Sequence, residues 1–232
     1  MRMKNLLLAS SALALLGATQ EAQAGTYISV FGGANFLEDS SGFGASFFGY
    51  STARFNTDAD TGFVLGGAVG IHLDSWLQGL RAELEASYRR QNVGGQWGYS
   101  TFSGYNYSSG AIEANQSTFA IMANVWYDFD VNWRVKPYIG AGAGWARANF
   151  NGALLTFSGY NPFTQTNTSD NGFAWQAGFG FNYEIQPGVD LGVGYRYFEG
   201  PDVEISCSCI ISNPEISNEN HTVFVNLNID IN

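Results

Sequence analysis

Residues 80–91 read LRAELEASYRRQ, and the fold turns on how they are read. Leu80, Leu84 and Tyr88 recur at helical spacing, and Ala, Leu, Glu and Arg are good helix formers, which suits an amphipathic helix. The same residues also alternate strictly. Leu80, Ala82, Leu84, Ala86 and Tyr88 would line one face of a strand, with Arg81, Glu83, Glu85 and Arg89 on the other. The segment fits both descriptions, so its surroundings must decide.

Those surroundings alternate too. In 62–73, Phe63, Leu65, Val69, Ile71 and Leu73 oppose Val64, Gly66, Ala68 and His72. In 118–129, Phe119, Ile121, Val125, Tyr127 and Phe129 oppose Thr118, Asn124 and Asp128. The pattern returns in 173–185, where Phe173, Trp175, Phe179, Phe181 and Tyr183 oppose Gln176, Asn182 and Glu184. It returns again in 190–198 and 222–231, whose polar rows carry Asp190, Arg196, Asn226, Asn228 and Asp230. Residues 26–36 alternate weakly; 137–150, PYIGAGAGWARANF, are ambiguous and are read with Arg147 inward. Glycine-interrupted runs of this kind suit strands, so the opening stretch joins them and the expected count is eight.

Composition agrees. Charged residues form 13% of the chain and aromatics 16%, with 29 glycines against 5 prolines, a profile of strands and polar loops rather than helices. Residues 1–24 stand apart: Arg2 and Lys4, then an apolar LLLASSALALLG, then Ala22-Gln23-Ala24, the layout of a secretory signal peptide cut before Gly25. Losing Arg2, Lys4 and Glu21 with that leader moves the formal charge from −10 to −11, which disfavours nucleic acid as a partner.

Long links at 37–61, 92–117, 151–172 and 199–220 alternate with short ones at 74–79, 130–136 and 186–189. Tight turns make neighbouring strands antiparallel. Strands of about ten residues with long and short links in alternation, apolar outward and polar inward, describe an outer-membrane barrel. A β-sandwich also alternates, but it does not need Tyr88, Tyr127, Phe129, Trp145, Trp175, Tyr183 and Tyr197 near strand ends, where a barrel places an interfacial girdle. The expected fold is therefore an all-β, eight-stranded antiparallel transmembrane β-barrel spanning 25–232, with long outer loops and short periplasmic turns. An eight-stranded barrel is just wide enough for side chains to fill it. Buried charges need partners, so Arg81, Arg89, Arg147 and Arg196 are expected to meet Glu83, Glu85, Asp128, Glu184, Asp190 and Asp230 in a lumen network.

The leader, LRAELEASYR at 80–89, KPYIGAGAGWAR at 136–147, VDLGVGYRYF at 189–198 and HTVFVNLNI at 221–229 together resemble the OmpA-like and opacity-type outer-membrane β-barrels of Gram-negative bacteria, often called porin family surface antigens. The likeness runs from Gly25 to the end of the chain. It implies a membrane barrel with variable outer loops, inserted by the barrel-assembly machinery among outer-membrane lipid and lipopolysaccharide, and it carries over no catalytic residue and no cofactor. The chain's last residues, Asn228-Ile229-Asp230-Ile231-Asn232, lack the closing aromatic of that family, so recognition of the last strand is expected to rest on internal features. No peptidoglycan-binding domain is expected after the barrel.

The expected function is envelope-structural and surface-exposed, non-enzymatic, with a filled lumen; a small-solute porin and a loop-mediated adhesin or surface antigen are the alternatives. Trp97, Tyr99, Phe102, Tyr105 and Tyr107 lie among Gly, Ser and Asn in 94–110, a composition that suits recognition of a host or surface ligand and equally suits a solvated loop. Acidic loop residues could hold divalent ions against lipopolysaccharide phosphates, or serve solubility alone. Cys207 and Cys209 are a candidate disulfide in an oxidising compartment, although i, i+2 spacing strains the geometry; free thiols and metal binding are the other readings. His72 and His221, the only histidines, have no serine or acid at a diagnostic catalytic spacing.

Overall fold

Strands account for nearly all of the computed structural model, which describes residues 25–37, 41–47, 51–101, 106–156, 164–204 and 215–231. The expected leader at 1–24, together with Phe102, Tyr105, Cys207 and Cys209, lies outside the described residues. The strands are β1 (Thr26–Leu37), β2 (Ser41–Phe47), β3 (Ser51–Ala59), β4 (Gly62–His72), β5 (Leu80–Thr101), β6 (Asn106–Asp128), β7 (Val135–Thr156), β8 (Thr164–Gln186), β9 (Val189–Glu199), β10 (Val203–Glu204), β11 (Glu215–Ile216) and β12 (Glu219–Ile231).

Eight of them close a ring. In order around it they are β1, β4, β5, β6, β7, β8, β9 and β12, each antiparallel to the next, and β12 returns to β1 from Thr26↔Ile231 to Leu37↔Asn220. Closure gives each of the eight strands a partner on both sides, the condition for a sheet in hydrocarbon, where an unpaired amide has no water to bond. The short turns and the paired ends Thr26 and Ile231 mark one rim. Gly79 (φ +84°) and Gly188 (φ +77°) make two of those turns, in the left-handed region that glycine enters without strain. Their carbonyls accept from the Asp128 and Asp230 amides, each at 2.8 Å, tying neighbouring hairpins together.

The stretch 80–91 is strand throughout, inside β5. Its even row faces out, with Leu84 and Tyr88 exposed, and its odd row faces in, with Arg81, Glu85 and Arg89 buried. The same holds around the ring: Val30, Leu65, Val125, Phe179, Val193 and Val225 are all about half exposed, whereas Tyr27, Val64, Met122, Gln176 and Phe224 are buried. Such an outward row stays uncovered by protein because lipid is its solvent. Glycines on the inner row admit the large rings: a side chain at Gly70 would collide with Tyr27, and one at Gly194 with Tyr138 and Phe224.

Three long links prove to be strand for much of their length. β5 and β6 continue to Thr101 and from Asn106, while β7 and β8 continue to Thr156 and from Thr164, and the 37–61 link holds the β2–β3 hairpin, whose β3 pairs with the upper half of β5. Trp97, Tyr99 and Tyr107 therefore sit on paired strands rather than in a loop. Gly, Ser and Asn read as loop because the apolar alternation fades there. Its fading has a physical cause: above the membrane the polarity of the two faces exchanges. On the outward row, Tyr88 gives way to Arg90 and Asn92, Phe119 to Ser117, Asn115 and Glu113, and Trp145 to Arg147, Asn149 and Asn151. On the inward row, Val93 and Ala114 are buried above the amides Gln91 and Gln116, as is Phe150 on β7, whereas lower on β5 that row is charged. Water outside lets the outward row turn polar, without a change of register.

Candidate functional site: the barrel lumen

The inward row of β5 presents Arg81, Glu83, Glu85, Ser87, Arg89 and Gln91 from the inner rim to the outer. Each is met by a side chain from another wall. Near the inner rim, Arg81 makes a two-pronged ion pair with Asp128 of β6, its Nη2 donating to Oδ1 at 2.9 Å. Arg81 Nη1 also donates to the Tyr27 hydroxyl at 3.0 Å, which donates in turn to Glu83 Oε2 at 3.0 Å. Glu83 accepts further from Asn124 Nδ2 at 3.1 Å and Trp126 Nε1 at 3.3 Å.

One layer up, Arg196 of β9 spans the lumen to Glu85, with Nη1 at 2.9 Å from Oε1 and 2.8 Å from Oε2, both side chains almost wholly buried. Asn124 and Gln176 donate to the same carboxylate at 3.0 and 3.3 Å. The guanidinium lies 4.9 Å from the Phe31 ring centroid and 4.8 Å from that of Phe224, so aromatic rings fill the space around the pair. Arg89, fully buried, stacks 3.9 Å from the Phe198 ring and donates to Ser87 Oγ at 3.0 Å.

Among the described residues, the hydrogen-bond network at the outer end of the lumen is built of amides and threonine hydroxyls. Asn35 donates to Gln91 Oε1 at 2.8 Å and to Asn220 Oδ1 at 2.7 Å, and accepts from Thr222 at 2.9 Å. Asn218 accepts from Gln116 at 3.1 Å, Thr118 at 3.2 Å and Asn220 at 3.0 Å. These amides were not singled out in the sequence, because Asn and Gln on a strand read as solvated; their inward parity was the available signal.

The inner mouth is open. A cavity of about 570 Å³ lies below Arg81 and Asp128, lined by Asp74, Asp130, Asp190, Asp230, Lys136 and His72 among others. His72 Nε2 stands 3.2 Å from Asp230 Oδ1 here, and Lys136 3.7 Å from Glu184.

The structure thus brings together Arg81, Glu83, Glu85, Asp128 and Arg196, with Arg89 stacked above them. It leaves Glu184, Asp190 and Asp230 at the wet inner mouth, since their strands end there. Arg147 is a correction: it faces outward and donates to Ser169 Oγ at 3.3 Å, while Ala146 and Ala148 take the inward positions. It stands above the apolar belt, on the row that has already turned polar, so the rule that sends charges inward no longer applies to it.

Set beside known proteins, residues 6–228 match the sequence family described as outer membrane protein beta-barrel domain. An outer membrane protein of Gluconacetobacter diazotrophicus is 28% identical over 211 residues, covering 84% of this chain and 52% of that one. Outer membrane protein PagN of Salmonella typhimurium is 28% identical over 148 residues, covering 62% of this chain and 60% of its own. The chain spans little more than half the length of these relatives. The crystal structure of Neisserial surface protein A shares the fold at a TM-score of 0.50 and 16% identity, covering 89% of this chain and 97% of that one.

Proposed function

We propose, from the premise that the chain belongs to the outer membrane protein β-barrel domain family and resides in the outer membrane, that it works as a stoppered barrel: an anchor and display platform rather than a pore. The reading assigns it no catalysis. It is supported above all by the Arg196–Glu85 pair, buried across the middle of the lumen and enclosed by Phe31, Phe224 and Trp126. A solute passing from the inner mouth would have to break that pair, displace Arg89 from Phe198 and then open the amide layer above. Each of these steps exposes buried polar groups without replacement partners, which is costly. Planar-bilayer recording tests the reading: the refolded protein is expected to give no steady nanosiemens-scale channels, and their presence would favour the small-solute porin instead.

Surface recognition is the second reading, and the continuation of β5, β6, β7 and β8 beyond the apolar belt favours it. The register sets Phe55 of β3 opposite Trp97 of β5 and Ala53 opposite Tyr99, an ordered arrangement on which a ligand could be read. Tyr107 of β6 is counted with them, while Phe102 and Tyr105 lie outside the described residues. Cells carrying Trp97→Ala with Tyr99→Ala are expected to bind host matrix less than cells with the unaltered protein; equal binding removes this reading. Insertion is assigned to the barrel-assembly machinery.

A further inference from the structure

Among the described residues, three guanidiniums are buried in the lumen: Arg81 faces Asp128, Arg196 faces Glu85, and Arg89 faces no acid. Only 1% of Arg89 is exposed, and no described carboxylate lies within ion-pair distance of it. Its one hydrogen bond goes from Nη1 to a neutral acceptor, Ser87 Oγ, while Nε and Nη2 have no partner. The Phe198 ring covers one face of the guanidinium but carries no net charge. Charge is therefore spread unevenly along the axis. Glu83, Glu85 and Asp128 outnumber Arg81 and Arg196 in the inner layers, and the layer of Arg89 holds a cation alone. A buried charge without a counter-ion is more costly than a missing hydrogen bond.

The surroundings of Arg89 supply a further donor and some room. Thr118 of β6 is its cross-strand partner, and the Thr118 hydroxyl donates to Asn218 Oδ1. Gln116 and Asn220 donate to the same oxygen, which leaves Asn218 Nδ2 buried and unpartnered. Asn218 Nδ2 and the Phe198 ring both border Gly200, where a Cβ would stand 2.5 Å from the one and 3.0 Å from the other. Glycine thus keeps space open where that amide meets the ring on which Arg89 stacks. Arg89 Nε, Arg89 Nη2 and Asn218 Nδ2 are three buried donors in want of an acceptor, one side of them fully charged, and that is the chemistry of an anion site. A monatomic anion asks least of the space. Water is the rival occupant, since Gln116 Oε1 beside Asn218 is a free acceptor. Water, however, supplies hydrogen bonds and no charge.

We propose that the lumen binds a chloride ion between Arg89 and Asn218, beneath the outer amide layer, as the counter-ion of the buried guanidinium. The inference goes beyond the stoppered reading, and the two fail separately: steady channels in a bilayer leave the anion site standing, and a lumen without the anion leaves the stopper standing. Crystals of the refolded protein soaked in sodium bromide test it directly. An anomalous bromide peak is expected within hydrogen-bond reach of Arg89 Nε or Nη2, and water alone at that place overturns the proposal. Urea unfolding in lipid vesicles at constant ionic strength is the second test. Replacing sodium gluconate by sodium chloride is expected to raise the wild-type folding constant about tenfold, the response to an anion at about ten times its dissociation constant. Arg89→Met, which keeps an apolar stem against Phe198, is expected to lose that response. A response that survives in R89M, or that is absent from wild type, overturns the proposal. Should R89M fail to fold, the bromide peak in the wild-type protein decides.

Discussion

Tyr88 and Asn92 stand on the same outward row of β5, one turn of the alternation on either side of Arg90, and meet different solvents. Below Arg90 the row is Leu80, Ala82, Leu84, Ala86 and Tyr88, and the row behind it is charged; above Arg90 the outward row is polar and Val93 is buried behind it. One strand, in unbroken register with β6 from Leu80↔Tyr127 to Tyr99↔Ser108, is thus built to two opposite patterns. The contrast teaches that the pleat sets which residues share a face, while the surrounding medium sets which face must be apolar.

Four substitutions break or sharpen that comparison. The largest effect is expected from Glu85→Ala, which leaves the Arg196 guanidinium buried without its anion: a loss of about 3–5 kcal/mol, measured by urea unfolding in lipid vesicles. Leu84→Arg, one residue away on the lipid side, is expected to cost about 2–4 kcal/mol in the same assay, because a cation then faces hydrocarbon. Should it unfold no more easily than wild type, the outward row does not meet lipid. In the outer amide layer, Asn35→Ala removes partners from Gln91, Asn220 and Thr222 and is expected to cost about 1–3 kcal/mol. Smallest of all, Asn92→Arg, on Leu84's row but above the belt, should change stability by no more than about 0.5 kcal/mol. A penalty there equal to that of Leu84→Arg would erase the boundary drawn at Arg90.

The stretch 80–91 also shows what could be read in advance. Its polar row was legible as the inward one, and Arg81, Glu83, Glu85 and Arg89 did turn toward the axis, because alternation over ten residues records a difference between two faces. Arg147 was misplaced for an instructive reason. In AGAGWARANF the small residues hide the alternation, and the expectation that every charge turns inward holds only within the apolar belt. The outer halves of β5, β6, β7 and β8 look like loop in the sequence because the outward row turns polar there, at Asn92, Glu113 and Asn149, and the apolar alternation fades. Asn35, Gln91, Gln116, Asn218 and Asn220 carry no signal of their own in the sequence: their role depends on meeting one another, and they come from β1, β5, β6, β12 and the approach to β12.

By itself the sequence determined eight membrane-spanning strands and their antiparallel order, and, outside the weakly alternating 26–36 and the ambiguous 137–150, the face each turns to hydrocarbon, since these follow from local periodicity and link length. Only the tertiary structure decided that Arg196 meets Glu85 while Arg81 meets Asp128, and that the outer seal is made of amides. It also decided where the two faces exchange polarity. Partners across a lumen are chosen by how the closed ring staggers its strands, and no stretch of chain, read alone, contains that stagger.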